Sequence, residues 1–362
     1  MFHPHNEDKR KIRLIQELHE KADCAFFTLD PYIKFLPLVF RPPELNWTVA
    51  RKCATESEKL IIIPVFGRDA IARRGFLEFA VVAIYSLLCC SRIDDYQIKL
   101  LISDYYQDIP GLEYTDLFDG SVIASLDVLK QLNVQISVTD KKLTTSKLYD
   151  YCDSKFKTIV RLDADCGVKK SLGSVDFFNY SQSFGQSGLN FIHTKRNSFN
   201  QLFHKNEGRM IKWDHSYQLD SKEFLYRVCR YVNSSLPVRI DPATLEYRMK
   251  ELDWPSEGLS YMDSRFIKSF CILRDILQEE KVTPEWDEEI LKVILACSLN
   301  EQIEKSKIRI IEYWEEWETR TDIVMNFRNI HSIKPVFNEI ISGGTEVRSG
   351  HLDYIRRFID EI

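Results

Sequence analysis

Lys157-Thr-Ile-Val-Arg-Leu-Asp-Ala-Asp-Cys-Gly-Val168 is an apolar run that stops on two carboxylates, Asp163 and Asp165, two residues apart. A short apolar stretch rich in β-branched residues and closed by charge reads as a strand buried on both faces, here Thr158 to Leu162. The two acids then stand where that strand leaves the sheet. Neighbouring carboxylates repel unless something cationic sits between them. A divalent ion with oxygen ligands resolves this, and Mg²⁺ or Mn²⁺ keeps open positions for water and phosphate oxygens.

Upstream, the same pattern repeats. Leu60-Ile-Ile-Ile-Pro-Val-Phe66 is a buried strand ended by Gly67-Arg68-Asp69, and Ala70 to Cys90 is apolar at helical spacing. Ile98 to Ser103 is a second strand closed by Asp104, Ser121 to Leu132 a helix, Val134 to Val138 a third strand and Ser146 to Ser154 a further helix. Strands alternating with helices predict an α/β chain with a Rossmann-like, mostly parallel sheet covered on both faces. Ligands bind such sheets at the carboxyl ends of the strands, so Gly67-Arg68-Asp69, Asp104 and Asp163-Ala-Asp165 are expected along one rim.

Downstream of Gly167 the alternation fades. Ser221 to Asn233 and Trp286 to Thr319 have helical spacing, the latter with Ile303, Ile310, Trp314 and Trp317 on one broad face. The expected organisation is a helical or irregular extension over 1–55, a catalytic domain over 56–342 with halves 59–175 and 176–342, and a loop and helix over 343–362. Additional helical segments are thus expected in the C-terminal part.

The 362 residues carry a formal charge of −5, with 44% hydrophobic and 28% charged residues. This is the composition of a globular protein. It gives no overall basic footprint for nucleic acid. Nine cysteines, scattered and without a C-x-x-C pair, read as reduced and mostly buried thiols. The polar start has no apolar leader core, and the longest apolar run, Phe79 to Cys90, is shorter than the roughly 20 residues of a membrane span. The expectation is a cytoplasmic protein with no integral membrane span.

The Asp163-Ala-Asp165 segment resembles the signature of GT-A fold glycosyltransferases, where an apolar strand runs into Asp-x-Asp and a Lys-Leu sits in the preceding helix, here Ser146-Lys-Leu-Tyr149. The likeness extends over about residues 59–175. It implies a metal-dependent transfer from a nucleotide-sugar donor, with a UDP-sugar expected, to a hydroxyl of a glycan or other acceptor. By this resemblance Asp165 is a metal ligand and Asp163 holds the donor ribose or assists the metal. Val65, Phe66, Gly67 and Arg68 line the base and ribose, Asp104 contacts the base or ribose, and Lys147 reaches the nucleotide or diphosphate, with Arg161 a further helper inside the strand. Asn329-Ile-His331-Ser-Ile-Lys334-Pro335 is similar to the late His and Lys-Pro of retaining, glycogenin-like enzymes, although the usual glycine in the spacer is missing. It implies His331 as a metal ligand and Lys334 on the leaving phosphate.

Cations at that place suit the chemistry, since a departing diphosphate gains negative charge in the transition state. An inverting enzyme also needs a carboxylate base, for which Asp263 is the leading candidate ahead of Asp214 and Asp220; a retaining one does not. Both outcomes stay open. The chain lacks G-x-x-x-x-G-K-[ST], G-x-G-x-x-G, H-E-x-x-H and G-x-S-x-G, which removes the main support for P-loop, dinucleotide, zincin and serine-hydrolase chemistry. Two alternatives remain, a sugar-nucleotide nucleotidyltransferase and an inactive scaffold that binds glycans or partners.

Overall fold

The computed structural model describes residues 45–65, 70–89, 94–103, 120–141, 143–164, 166–168, 182–187, 221–251, 256–283, 288–300, 304–311 and 324–326. The first half is built as its apolar runs dictate. Strand β1 (Lys59–Val65) leads into helix α1 (Ala70–Cys89), β2 (Gln97–Ser103) into α2 (Gly120–Gln131), and β3 (Gln135–Thr139) into a 3-10 turn (Thr145–Tyr151) that precedes β4 (Thr158–Leu162). The expected helix over 146–154 is therefore this shorter, tighter turn. Strands β1 to β4 are mutually parallel in the order β3-β2-β1-β4.

Beyond β4 come β5 (Cys166–Val168), β6 (Gln182–Ser187), α3 (Ser221–Ser235), α4 (Pro242–Glu251), β7 (Ser256–Asp263), α5 (Ser264–Glu279), α6 (Glu288–Leu299), β8 (Glu304–Ile311) and β9 (Val324–Asn326). They extend the sheet to β3-β2-β1-β4-β7-β6-β8-β9-β5, with β7 antiparallel to both β4 and β6. The fold is α/β, a mostly parallel mixed sheet flanked by helices.

One expectation fails here. The helical reading of 286–319 holds only to Leu299; Asn300 takes a positive φ of 54° and ends α6, and Glu304–Ile311 is a strand. Lys305, Lys307 and Arg309 alternate with Ser306, Ile308 and Ile310, a period of two that belongs to a strand. Ile310 is thus a strand residue, while Ile303, Trp314 and Trp317 lie outside the described residues.

Strand alternation divides the core. Ile61, Ile63 and Val65 of β1 join Val160 and Leu162 of β4 on the face covered by α1 and α2. Leu60, Ile62 and Ile159 face the layer of α3, α4, α5 and α6. Residues ahead of β1 belong to the first face: Trp47 meets Tyr85 edge-on at 5.3 Å, and Arg51 N donates to Leu88 O at 3.0 Å. None of the seven described cysteines forms a disulfide. No helix among the described residues is long and apolar enough to cross a membrane.

Candidate active site

The chain places β2 and β3 on one side of β1 and β4 on the other, so the strand order reverses between β1 and β4. In open α/β sheets the crevice at such a reversal, outside the carboxyl ends of the strands, is where ligands bind. Val65 ends β1 there and Asp163 follows the last residue of β4. The carbonyl of Asp163 accepts from Cys166 N at 3.0 Å, which closes a four-residue turn.

The Asp163 side chain is 27% exposed, and its Oδ1 accepts from Arg161 at 2.5 Å. Period two explains the contact. Arg161 and Asp163 share a face of the strand with Ile159, the face under the four-helix layer, and Arg161 is buried there. Its second arm, Nη1, lies 3.3 Å from Glu288 Oε2 in the first turn of α6. Glu288 is completely buried and also contacts Lys292 and the Tyr149 hydroxyl. Lys292 lies one turn further along the same helix face, donates to Ser260 at 3.2 Å and sits 5.7 Å from the Tyr149 ring centre.

Two cations and two carboxylates thus form one chain from the rim into the helix layer. Burial alone pushes the Glu288 carboxyl up, but Arg161 and Lys292, with hydrogen bonds from Lys292 and Tyr149, overcome it and hold the group below its usual range. The positive end of α6 adds to this.

Lys147 lies in the 3-10 turn, two residues before Tyr149. That turn is fastened to α5: Arg274 donates to Ser146 O at 2.9 Å and to Asp150 at 2.8 Å, and Gln278 donates to Ser146 Oγ at 3.0 Å. Lys147 therefore stands on a fixed support, connected through Tyr149 to the chain of charges below Asp163.

Two expected site residues are placed differently. Val65 is on the rim, but its side chain is fully buried against α1, which leaves only its main chain to meet a ligand. Asp263 pairs with Thr158, at the opposite end of β4 from Asp163. Five residues of strand, about 16 Å, separate the two acids. Asp263 caps α5 there, accepting from Phe266 N at 2.7 Å, and so is not brought to the rim as an acceptor base. Phe66, Gly67, Arg68, Asp104, Asp165, His331 and Lys334 lie outside the described residues, as do Asp214 and Asp220.

Among the described residues no group of three or more His, Cys, Asp or Glu side chains is arranged to hold a metal ion. Asp163 has the hard oxygen donors that Mn²⁺ or Mg²⁺ takes, and its Oδ1 also accepts from Arg161. Glu288 and Lys292 were not anticipated as neighbours of Asp163. Their one trace in the sequence is a charged i,i+4 pair, Glu288 just ahead of the apolar run Ile290 to Ala296 and Lys292 interrupting it.

No protein-family model matches the sequence, and no curated protein matches it. Solved structures similar to the chain include glycosyltransferases. The bifunctional glycosyltransferase WbbM in its apo form has a TM-score of 0.42 and 9% identity over 85% of this chain and 51% of its own, so the chain spans about half of that protein. The galactosyltransferase LgtC in complex with donor and acceptor sugar analogues has a TM-score of 0.37 and 11% identity, over 80% of this chain and 97% of its own. An active-site mutant of LgtC has a TM-score of 0.36 and 10% identity, over 80% of this chain and all of its own.

Proposed function

We propose that the chain is a metal-dependent glycosyltransferase of the GT-A type, moving a sugar from a nucleotide-sugar donor, a UDP-sugar first among them, to an acceptor hydroxyl. The observation that carries this reading is the place of Asp163: a half-buried carboxylate at the strand-order reversal, set on a buried guanidinium rather than left to solvent. Asp165 and His331 complete the site for Mn²⁺ or Mg²⁺ in this reading. Bound there, the cation would neutralise charge on the diphosphate.

The bond between the anomeric carbon and the diphosphate oxygen breaks, the pair of electrons leaves with the nucleoside diphosphate, and the acceptor oxygen bonds the anomeric carbon as it loses its proton. Lys147 and Lys334 supply positive charge toward the diphosphate, where it counts most in the transition state. Phe66, Gly67, Arg68 and the main chain of Val65 hold the nucleoside from β1, and Asp104 from β2. Asp263 stands at the opposite end of β4 from Asp163, away from this rim.

The test is a thermal-shift and hydrolysis panel of UDP-, GDP-, ADP- and CMP-sugars with Mn²⁺, Mg²⁺ or EDTA, on the wild type and on Asp165→Ala. Metal-dependent stabilisation and nucleotide release by one donor, lost in the variant, is the expected result. A wild type that responds to no donor sinks the reading in favour of an inactive scaffold. Release of pyrophosphate from a nucleoside triphosphate and a sugar phosphate would replace it with nucleotidyl transfer.

A further inference from the structure

We propose that Glu288, backed by Lys292 and Tyr149, is a positioning residue for the Asp163 carboxylate and acts on it through Arg161. This rests on the reading of Asp163 as part of a donor site. Arg161 occupies a core position in β4, on the face where Ile159 is packed by aliphatic and aromatic side chains. Its guanidinium is a rigid planar fork with one arm on Asp163 and another on Glu288. Fixing the second arm therefore fixes the first. Glu288 is itself held by Lys292, one turn along α6, and by the Tyr149 hydroxyl.

Stability gives no sufficient reason for this arrangement. Buried ion networks are often matched or bettered by apolar side chains of similar volume, because desolvation offsets the Coulomb gain. An apolar network, however, has no arm to place 2.5 Å from the rim carboxylate. The network also joins two elements of the site, since Tyr149 belongs to the same turn as Lys147. Glu288 is then the point where the support of Asp163 and the support of Lys147 meet. It touches no reacting atom in this scheme and orients groups that do.

The experiment measures binding of UDP, GDP and ADP, each with Mn²⁺, by titration calorimetry, together with KM and kcat for donor hydrolysis and the thermal midpoint. Two variants of the full chain are compared with the wild type. Glu288→Gln keeps size and an acceptor for Tyr149 but removes the charge. The combination Arg161→Met, Glu288→Gln and Lys292→Met removes every buried charge of the network and so leaves none unpaired, which keeps the fold intact.

Both are expected to weaken nucleotide binding by roughly tenfold or more, the usual cost of losing a partner behind a ligating group. The donor KM rises more than kcat falls, and the triple variant melts within a few degrees of the wild type. A folded triple variant that binds nucleotide and Mn²⁺ as the wild type does, while Asp163→Asn does not, overturns the positioning role alone. A wild type that binds none of the three nucleotides overturns the donor-site reading and this inference with it.

Discussion

The two faces of the central sheet are both densely buried, yet they are made differently. The face under α1 and α2 contains no buried charged side chain among the described residues; Val65, Val160, Leu162 and Ala164 meet the apolar surface of α1. The face under α3 to α6 is the larger apolar cluster, and the four buried charged residues among those described, Arg161, Arg274, Glu288 and Lys292, lie against it. Burying apolar area stabilises without direction. Buried charges have to be placed geometrically, and here they lead either to Asp163 or to the turn that carries Lys147. The first face holds the sheet up, and the second aims the rim.

The comparison breaks most visibly at the rim itself. Asp163→Asn is expected to lower kcat/KM for donor hydrolysis on the order of 100-fold with little change in melting, the scale on which losing one preorganised electrostatic group acts. If stability falls instead and turnover survives, Asp163 is only a structural partner of Arg161. Next in size, Glu288→Leu alone strands Arg161 and Lys292 together in the core and is expected to cost about 3–5 kcal/mol in urea unfolding. On the other face, Ile61→Ala is expected to cost about 2–5 kcal/mol through transfer and cavity effects, while leaving the donor KM of the folded fraction unchanged. Asp263→Ala is expected to remove about 1 kcal/mol, the worth of a helix cap, and to spare kcat. A large loss of kcat there would return Asp263 to the role of acceptor base.

Acid should distinguish the faces too. The Glu288 carboxyl is held below its ordinary value of 4.5 in the folded protein, so its contribution is present above that pH and is lost as the pH falls through the lower folded value. The wild type is expected to lose stability below about pH 4.5, and Glu288→Gln to lose less over the same range, as followed by circular dichroism.

How far the sequence could be read follows from the same physics. Strands β1, β2 and β4 are buried on both faces, so each is an apolar run cut off by polar residues, while β3 at the sheet edge alternates Ile136 and Val138 with polar residues; the limits of all four were legible to within a residue or two. β6, Gln182-Ser-Phe-Gly-Gln-Ser187, has no such run, and β8 hides its alternation behind basic residues. Asp163 was legible because a strand announces its own exit. The partners behind it were not, since Glu288 follows 125 residues later and only packing of α6 on the sheet brings it to Arg161. Asp263 misled for a related reason: an acid at the end of a strand looks the same from either edge of the sheet until the strand direction is known.

The short strand β5 has one more consequence. It begins directly beyond the Asp163 turn, rests on α1 with Val168 N donating to Ser86 Oγ at 2.8 Å, and has β9 as its strand partner, Cys166 opposite Asn326. Contacts so distant in sequence form late, because the loop between them must be closed first. During synthesis the chain emerges from its N-terminus, so β1 to β4 are available to fold long before Val324 leaves the ribosome. The strand beyond the acidic turn therefore has its support on α1 early and gains its β9 partner only after Val324 has emerged.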